Sequence, residues 1–432
     1  MRTQVAIVGG GPGGAGAAMH LARHGVETMI IEREEFPRYH IGESMTGECG
    51  GLVRALGLGD RMLSAGYPQK QGVRVFGKGE WFLPVMRRDE QNQLEDQFTW
   101  QVRRSEFDAM MLSEAVARGA TLVRGRAAGV LRDDKGVVSG LTVEMEDGGV
   151  QTIASDLVLD ASGQKTFLAH QGVTSTRHTG RYDKQIAIFS QVPNTLGEDF
   201  ERQTHRDNTL IFYAGKYHWA WFIPLSKDVV SVGVVVDGGY FASKKESKRD
   251  FYLRELRELH PELARRVPDP TLLEEVRTIP NYSYFVEKFS GPGFLCIGDA
   301  HRFIDPIFSF GLYLSLKEGQ MATPHILRYL NGETRDSADP FAEHEAMCTA
   351  GMDVLQDLID AFWEEPFSFA TLVAHPRTRP DMIDMFAGRV YRPTPSEGTA
   401  SLTKIALKAR GLAVSHRDAK FGVGSRGAMQ SA

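Results

Sequence analysis

The chain opens with a short apolar run, a glycine-rich loop and a helical pattern. Val5–Val8 is continuously apolar, which is typical of a strand buried on both faces of a sheet. Gly9–Gly14 follows, and Ala15–Arg23 then carries a small, apolar helical face. A second apolar run, Val26–Ile31, ends at Glu32. This order predicts a strand, a tight loop, a helix and a second strand that ends in an acid.

The glycines of this loop have distinct expected roles at a nucleotide. Gly9 permits the tight turn, Gly11 lets the backbone approach a pyrophosphate, and Gly14 lets the helix pack on the strand. The helix N-terminus offers unpaired N–H groups to phosphates, and Glu32 stands at the spacing of a ribose ligand. Because strand, loop, helix and acid occur in order, the sequence predicts a dinucleotide site rather than an ordinary turn.

Later apolar runs predict further strands of this sheet and a second sheet. Leu157–Gly163 and Phe294–Ala300 each show a buried strand that ends in a small-residue turn. Three apolar or alternating stretches lie between them: Gln185–Val192, Thr209–Tyr213 with His218–Pro224, and Val229–Val236. We therefore predict an α/β fold, with a doubly wound nucleotide-binding domain and an inserted, mainly antiparallel β-sheet substrate domain.

The predicted nucleotide-binding domain is discontinuous and is followed by helices. It comprises residues 1–175 and 285–330, and the inserted domain comprises residues 176–284. The insertion contains one charged amphipathic helix, Ser247–Arg266. Residues 331–415 form a C-terminal helical region, and residues 416–432 a flexible tail of low apolar content. The C-terminal helices are expected at Lys317–Leu330, Pro340–Phe362 and Ser368–Ala374.

Composition and charge exclude several classes of protein. With 42% apolar and 24% charged residues, the chain is an ordinary globular one. A net charge of −5 gives no basic footprint for nucleic acid, and no apolar run is long enough to cross a bilayer. Its three cysteines form no CxxC pair, and no signal peptide is visible, so we expect buried free thiols and a cytoplasmic location. No metal site is predicted.

Two tryptophans lie close together in a chain that has only five. Trp219 and Trp221 are separated by one residue on a predicted strand, so their side chains point the same way. Pro224 ends that strand or bends its edge. Large aromatic residues on a strand usually pack in a core, so the pair forms either a core or the wall of a site.

Two segments combine glycine, serine and charged side chains. In Arg38–Ser44, Gly42 allows close backbone approach and Ser44 can cap the next helix. In Arg103–Asp108, Ser105 can cap a helix with an apolar face. Read alone, the first segment is a loop that leads into a helix, and the arginines of the second fit an exposed helix start.

Two further segments hold a lysine and a turn. Lys70 lies in Gly66–Gly72, and from spacing alone it reads as an exposed loop lysine. Lys78 competes with it, but its glycine neighbours predict a hairpin turn. Phe303–Leu312 follows a Gly-Asp-Ala turn and leads into a helix, whose first N–H groups would form an anion site.

Together these segments resemble those of the flavin-dependent halogenases. The similarity covers roughly residues 1–325. It is most specific in Gly9–Gly14, Arg38–Ser44, Lys70, the Trp-x-Trp-x-Ile-Pro segment and Gly298–Gly311. The resemblance implies non-covalently bound FAD, supplied in the reduced form. It also implies that FAD contacts Gly9, Gly11, Gly14, Glu32, Arg33, Ile41, Ser44, Arg103, Asp299, Pro306, Gly311 and Leu312.

The resemblance also implies a reaction and its residues. Lys70 would be the catalytic lysine, which holds hypohalous acid formed from O2 and chloride or bromide, or reacts with it, and presents electrophilic halogen to an aromatic ring. Trp219 and Trp221 would keep substrate away from the flavin. Phe310 stands where many relatives have a small residue, and would shape the halide pocket.

The resemblance favours an electron-rich substrate: a phenol, a pyrrole or an aromatic acyl group on an acyl or peptidyl carrier protein. No second complete glycine motif is present, so a separate NAD(P)H flavin reductase is expected as a partner. Three alternatives stay open from the sequence. They are a flavin-dependent aromatic hydroxylase, a flavin-dependent reductase of isoprenoid double bonds, and a flavin-binding protein without turnover.

Overall fold

A computed structural model describes residues 1–77, 79–88, 93–96, 98–182, 184–194, 207–268, 271–280, 282–391 and 395–411. Its strands are β1 Arg2–Val8, β2 Thr28–Glu32, β3 Gln69–Lys70, β4 Gly72–Phe76, β5 Glu80–Pro84, β6 Arg87–Arg88, β7 Leu94–Asp96, β8 Thr99–Trp100, β9 Thr121–Arg132, β10 Val138–Met145, β11 Val150–Asp160, β12 Arg177–Thr179, β13 Gln185–Pro193, β14 Thr209–Gly215, β15 His218–Pro224, β16 Val229–Asp237, β17 Arg277–Pro280, β18 Tyr284–Val286, β19 Ser290–Gly291, β20 Phe294–Cys296 and β21 Arg302–Phe303.

The helices of the described residues flank these strands and dominate the C-terminal part. They are α1 Pro12–Ala22, α2 Gly47–Ala55, α3 Gly59–Ser64, α4 Arg104–Ala117, α5 Phe167–His170, α6 Gly238–Ser243, α7 Lys248–Glu258, α8 Pro261–Arg266, α9 Gly311–Leu330, α10 Ala342–Glu364, α11 Pro366–Ala374, α12 Arg379–Ala387 and α13 Glu397–Ala409. Short 3-10 turns occur at Gly163–Lys165, Gly298–Ala300 and Pro306–Phe308.

The first sheet is built on parallel strands. β1 pairs in parallel with β2 and β11, β2 with β9, and β11 with β20. β10 joins the far halves of β9 and β11 in an antiparallel meander. Successive residues of β1 alternate between two cores: Val5 and Ile7 belong to the core that includes α1 and α4, and Ala6 and Val8 to the core under the meander. The predicted α/β fold is confirmed.

The second sheet has the order β17-β13-β16-β15-β14-β4-β5. All of its pairings are antiparallel except that of β14 with β4. One face packs apolar side chains such as Phe212 and Val232 against Phe251 and Leu256 of α7. The opposite face carries both tryptophans of β15 toward the first domain. The face of this sheet that carries the tryptophans can therefore form the wall of a binding site.

The structure departs from the predicted boundaries at two places. Residues 1–175 do not all belong to the first domain, because β4 and β5 lie at the edge of the second sheet. The predicted helix Ser247–Arg266 is two helices: α7 ends at Glu258, and His260 caps α8 before Pro261. Proline at the first helical position has no N–H to give to the preceding turn, so it starts a new helix there.

The C-terminal region contains more helix than predicted. α9 begins at Gly311 rather than Lys317, and α12 and α13 were not predicted. Pro380 in the first turn of α12 and the Ser396 cap of α13 are ordinary helix-start signals in the sequence. The predicted flexible tail, 416–432, lies outside the described residues. No helix among the described residues is long and apolar enough to span a membrane.

Candidate active site

A large cavity lies between the two sheets. Its volume is about 940 Å³, and its lining combines the glycine loop, the 38–44 segment, the 303–312 turn and the inner face of the second sheet. Because parallel strands of the first sheet end at the glycine loop and at the Gly298 turn, their carboxyl ends open into this cavity.

The glycine loop has the geometry that a pyrophosphate requires. Gly9 has a φ of 104°, and a Cβ on Gly14 would lie 2.0 Å from the Gly9 carbonyl oxygen, so loop and helix meet closely. Gly11 caps α1 without a side-chain hydrogen bond, and the first turn of α1 has no acidic residue. The free N–H groups of this helix end therefore face an open cavity.

Glu32 and Arg33 lie at one end of the cavity. Glu32 is buried, and its carboxylate accepts hydrogen bonds from the Gly10 N–H at 2.7 Å and from the Glu34 N–H at 2.8 Å. Arg33 is exposed and pairs with Glu34. The acid at the end of β2 thus also holds the glycine loop in place.

The arginine of the cavity wall is Arg104, not Arg103. Arg104 is buried, grips both carboxylate oxygens of Asp108 at 2.7 and 2.9 Å, and donates to the Ile41 carbonyl at 2.7 Å. Arg103 is absent from the described cavity wall and pairs instead with Glu106. The FAD contact predicted for Arg103 is better suited to its neighbour Arg104, whose guanidinium is buried. Arg104 is also the first residue of the R-x-x-F-D pattern.

Neither predicted serine cap is formed. α4 begins at Arg104, so Ser105 lies inside the helix, and Arg103 is at the cap position without a side-chain bond. The cap of α2 is Thr46, whose hydroxyl accepts from the Cys49 N–H. Ser44 instead lines the cavity, and its hydroxyl makes hydrogen bonds to Lys70 and Thr209.

Asp299 lies in the Gly-Asp-Ala turn and faces the cavity. Its backbone carbonyl accepts from the Tyr284 hydroxyl, but its carboxyl has no hydrogen-bond partner among the described residues. Burial raises its pKa to about 7, and the charge of Arg104 opposes that rise. Asp299 is half-buried at the cavity wall, and an unpartnered carboxyl of this kind is suited to bind hydroxyl groups of a ligand.

The turn itself is held from behind by a buried carboxylate. Glu318 of α9 accepts from the Gly298 N–H at 2.6 Å and contacts His301 Nε2 at 2.8 Å. His301 stacks on Phe289 with ring centroids 3.9 Å apart. Neither Glu318 nor His301 was predicted from the sequence. Glu318 follows Lys317 in α9, and an adjacent lysine and glutamate look like an ordinary exposed charged pair, so the sequence gives no signal that the carboxylate is buried.

Residues of the turn before α9 line the cavity. Pro306 begins a 3-10 turn capped by Asp305, Ser309 takes a left-handed φ of 61°, and Phe310 is buried at the N-cap of α9. Gly311 and Leu312 begin the helix and face the cavity. The predicted anion site at this helix start is thus adjacent to the aromatic ring of Phe310.

The two tryptophans form one wall of the cavity. Trp219 and Trp221 are buried, with ring centroids 6.0 Å apart. Trp221 donates its indole N–H to the Ser231 hydroxyl at 3.2 Å, whereas the Trp219 N–H has no hydrogen-bond partner among the described residues. The two tryptophans therefore pack in the core and also line the cavity, so the two interpretations made from the sequence are compatible.

Lys70 is buried behind this cavity, with 1% of its surface exposed. Its Nζ donates to Ser44 Oγ at 2.8 Å and to the Met45 carbonyl at 3.0 Å. Burial lowers its pKa from 10.5 to about 7. It lines a separate, small apolar cavity together with Val73, Leu83, Pro84, Val85, Phe308 and Phe386. The competing candidate, Lys78, lies outside the described residues.

Other buried polar residues of this region were missed by sequence reasoning. Glu43 and Asp305 line the large cavity, and within the described ranges each has one carboxylate oxygen without a hydrogen-bond partner. Burial raises the pKa of each to about 7. Thr209 also lines the cavity, at the start of β14. A single acid or threonine in an apolar strand or loop gives no sequence signal of a site.

These residues fit a flavin dinucleotide. The free helix N-terminus suits a pyrophosphate, Glu32 suits a ribose, and the unpartnered Asp299 carboxyl suits further hydroxyl groups. The aromatic wall suits a planar ring. Among the described residues, no group of three or more His, Cys, Asp or Glu side chains is placed to hold a metal ion.

Comparisons with known proteins agree with this fit. The family model described as FAD binding domain matches residues 2–349. A 1H-pyrrole-2-carbonyl-(peptidyl-carrier protein) brominase from Pseudoalteromonas luteoviolacea is 35% identical over 387 residues, which is 89% of this chain and 91% of that protein.

Solved structures give the same relationship. The flavin-dependent brominase Bmp2 is 33% identical, with a TM-score of 0.86 over 95% of this chain and 100% of that chain. The myxobacterial chondrochloren halogenase CndH is 26% identical, with a TM-score of 0.75 over 97% of this chain and 99% of that one. The chain therefore belongs to the flavin-dependent halogenases and is an FAD-binding oxidoreductase, as its sequence resemblance indicated.

Proposed function

We propose that this enzyme halogenates an electron-rich aromatic ring with halogen delivered at Lys70. The observation that carries the proposal is the buried amine of Lys70, bonded to the cavity-lining Ser44 and facing a small apolar pocket. When bound and reduced, FAD would donate electrons to O2, and the oxygen so activated would oxidise chloride or bromide to hypohalous acid. Over the whole reaction, one C–H bond is replaced by carbon–halogen, O2 becomes two waters, and the flavin is oxidised.

The environment of Lys70 suits an amine that is neutral for part of the time. A neutral Lys70 has two N–H groups and one lone pair. The Met45 carbonyl takes one N–H, so rotation of the amine turns the lone pair either toward Ser44 or toward the small cavity. The lowered pKa makes this state available near neutral pH. Lys70 can thus hold hypohalous acid by a hydrogen bond, or accept halogen and pass it to carbon.

We propose that the cofactor is held by the cavity residues already described. Gly9, Gly11 and the α1 N-terminus hold the pyrophosphate, Glu32 the ribose, and Asp299 the ribityl chain. Gly14 acts through packing of helix on loop. Arg33, Ile41, Ser44, Pro306, Gly311 and Leu312 complete the cavity wall, with Arg104 in the place first given to Arg103. Halide is placed at the N-terminus of α9, beside Phe310.

We propose that Trp219 and Trp221 exclude substrate from the flavin side of the wall. Both rings are packed in the core and so cannot move aside without loss of buried area. The substrate would therefore meet halogen delivered from Lys70 rather than oxygen at the flavin. This separation favours halogenation over direct hydroxylation.

The substrate class is proposed from the relatives. The brominase from Pseudoalteromonas luteoviolacea acts on a pyrrole carried by a peptidyl carrier protein, and it matches most of this chain. We propose a pyrrole, phenol or similar aromatic acyl group, attached to a carrier protein. A separate NAD(P)H flavin reductase as the source of reduced FAD, and a cytoplasmic location, are also proposals.

The test is a halogenation assay with independently reduced FAD. Enzyme, reduced FAD, air and chloride or bromide are combined with pyrrole-2-carboxylate, free or as a carrier thioester, and with a panel of phenols. Lys70→Ala and Lys70→Arg should both lose halogenated product yet keep FAD binding. Alanine has no amine, and the arginine guanidinium is larger than the amine and does not deprotonate. Product mass separates addition of halogen from addition of oxygen. Halogenation at the wild-type rate by Lys70→Ala contradicts the role of Lys70.

A further inference from the structure

A chain of hydrogen bonds connects the buried Lys70 to the large cavity. Lys70 Nζ lies 2.8 Å from Ser44 Oγ, Ser44 Oγ lies 2.8 Å from Thr209 Oγ1, and Gln101 Nε2 donates to Thr209 Oγ1 at 2.9 Å. Lys70 lines the small cavity, whereas Ser44 and Thr209 line the large one. We call Lys70, Ser44 and Thr209 the hydroxyl chain.

The donor and the acceptor of each bond can be assigned by starting from Gln101, which contacts Thr209. Gln101 Nε2 also donates to the Asp207 carbonyl, which can only accept, so the orientation of the Gln101 amide is set. Thr209 Oγ1 therefore accepts from Gln101. When Lys70 is an ammonium, Ser44 accepts from it and must donate its own proton to Thr209. The Thr209 hydroxyl proton then has no acceptor among its described protein contacts and is left for the cavity.

The backbone holds the members of the chain in place. Lys70 pairs with Thr99 in the β3–β8 ladder, and Ser44 forms a β-bridge with Gln101. One short segment, residues 99–101, thus positions both the amine and the first hydroxyl. This rigidity allows proton transfer over fixed distances close to 2.8 Å.

We infer that Ser44 and Thr209 form a proton relay, through which Lys70 exchanges its proton with the contents of the flavin cavity. In one transfer, a proton leaves Lys70 Nζ for Ser44 Oγ, the Ser44 proton moves to Thr209 Oγ1, and the Thr209 proton passes to water or hypohalite in the cavity. No electrons are transferred, and each hydroxyl ends neutral. The reverse sequence reprotonates Lys70. This inference rests on the proposed role of Lys70.

The relay answers a need that burial creates. Lys70 is closed off from solvent, and apart from Lys70 no described side chain that lines its small cavity of about 10 Å³ is titratable. Cys49 of α2 is the titratable neighbour of Lys70, and burial raises the pKa of its thiol to about 12, so near neutral pH it is uncharged and does not take up the Lys70 proton. Glu43, beside Ser44 in the chain, directs its carboxylate toward Gln191 and Ser231.

Three threonine variants test the relay in FAD-loaded enzyme. Thr209→Val removes the outer hydroxyl at nearly constant shape, and Thr209→Ser restores it. Thr99→Val is the matched control. Thr99 is a buried threonine opposite Lys70, and its hydroxyl has no hydrogen-bond partner in the part of the chain that the structure describes. NMR of enzyme labelled at lysine Cε and Nζ measures both the Lys70 titration and its proton exchange with water. Product formation is followed in a single turnover.

The relay predicts a specific pattern. Thr209→Val should slow proton exchange at Lys70 and single-turnover halogenation by about tenfold or more, whereas Thr209→Ser and Thr99→Val stay near wild type. Wild-type exchange and halogenation in Thr209→Val would overturn the relay while the role of Lys70 stands. If Lys70→Ala still halogenates, the proposed function itself fails. If Thr209→Val does not bind FAD, Ser44→Ala interrupts the same chain at its inner hydroxyl, and normal exchange there also overturns the relay.

Discussion

Arg104 and Asp108 face each other across one turn of α4 and form a two-armed ion pair at the cavity wall, with N···O distances of 2.7 and 2.9 Å. The remaining arm of Arg104 donates to the carbonyls of Ile41 and Gly42 at 2.7 and 3.2 Å. One buried guanidinium therefore joins the start of α4 to the segment that closes the cavity. Arg38 adds a second contact to the same carboxylate.

We expect Arg104→Ala to weaken FAD binding strongly and Arg103→Ala to change it little. The first change leaves Asp108 buried without its main partner, which costs about 3–5 kcal/mol for a buried pair. The second removes a half-exposed arginine whose partner is the exposed Glu106, a contact of small worth. Titration of the apoprotein with FAD compares the two neighbours directly. Equal losses from both variants would contradict the assignment of Arg104.

Glu318→Gln should loosen the Gly-Asp-Ala turn. The Gly298 N–H then loses a charged acceptor, and the contact with His301 loses its carboxylate, which costs about 1.5–3 kcal/mol. Since Asp299 follows Gly298, FAD affinity should fall together with thermal stability. Glu343→Gln, an exposed carboxylate on α10, is the control. Unchanged FAD affinity in Glu318→Gln would show that the turn keeps its shape without this carboxylate.

The elements that the sequence predicted well are those with local signals. The glycine loop and the strands around Trp219 depend on apolar periodicity and on glycine, which act over a few residues. β4 and β5 belong to the second sheet because β4 pairs with β14, for example Val73 with Thr209. This is a long-range contact that no local pattern shows. Arg103 and Arg104 differ only in which one faces inward, and that is set by where α4 begins.

The hydroxyl chain could not be predicted for the same reason. Ser44, Lys70 and Thr209 come from three separate parts of the sequence. The bridge and ladder of residues 99–101 bring Ser44 and Lys70 together, and the pairing of β14 with β4 brings Thr209 to them. Ser44 looked like a helix cap because it precedes α2, yet Thr46 takes that place and leaves Ser44 for Lys70. A cap preference is a local rule, and tertiary hydrogen bonding overrides it here.

Gly233→Ala should displace Trp221 and uncouple the reaction. A Cβ at Gly233 would lie 2.1 Å from the indole ring of Trp221, which is packed across the strand pair. Movement of that ring opens the wall between the flavin cavity and the substrate, so release of hydrogen peroxide should rise relative to halogenated product. Gly215→Ala is the matched control, because no atom lies within 4 Å of its Cβ.

Both glycine variants are measured for tryptophan near-ultraviolet circular dichroism, peroxide release and product yield. If the spectrum of Gly233→Ala changes but the ratio of product to hydrogen peroxide does not, Trp221 has a packing role and does not control the reaction. An unchanged spectrum would mean that the sheet absorbs the added methyl group elsewhere.

The buried amine of Lys70 predicts how stability depends on pH. The folded protein loses the Lys70 proton near pH 7, whereas the unfolded chain keeps it up to about pH 10.5. Between these values the unfolded state binds one more proton, so the free energy of unfolding rises with pH. Below about pH 7 both states carry the proton and this contribution is constant. Lys70→Met removes the titration, since methionine carries no proton in either state.

The difference in unfolding free energy between wild type and Lys70→Met should therefore increase by about 1.4 kcal/mol per pH unit above about pH 7. Urea unfolding at several pH values measures it, and Lys404→Met, at an exposed position, is the control substitution. The sign is the decisive feature, because a salt-bridged lysine would lose stability as pH rises. A flat difference would mean that Lys70 stays charged in the folded protein, and a neutral amine could then not be the form that accepts halogen.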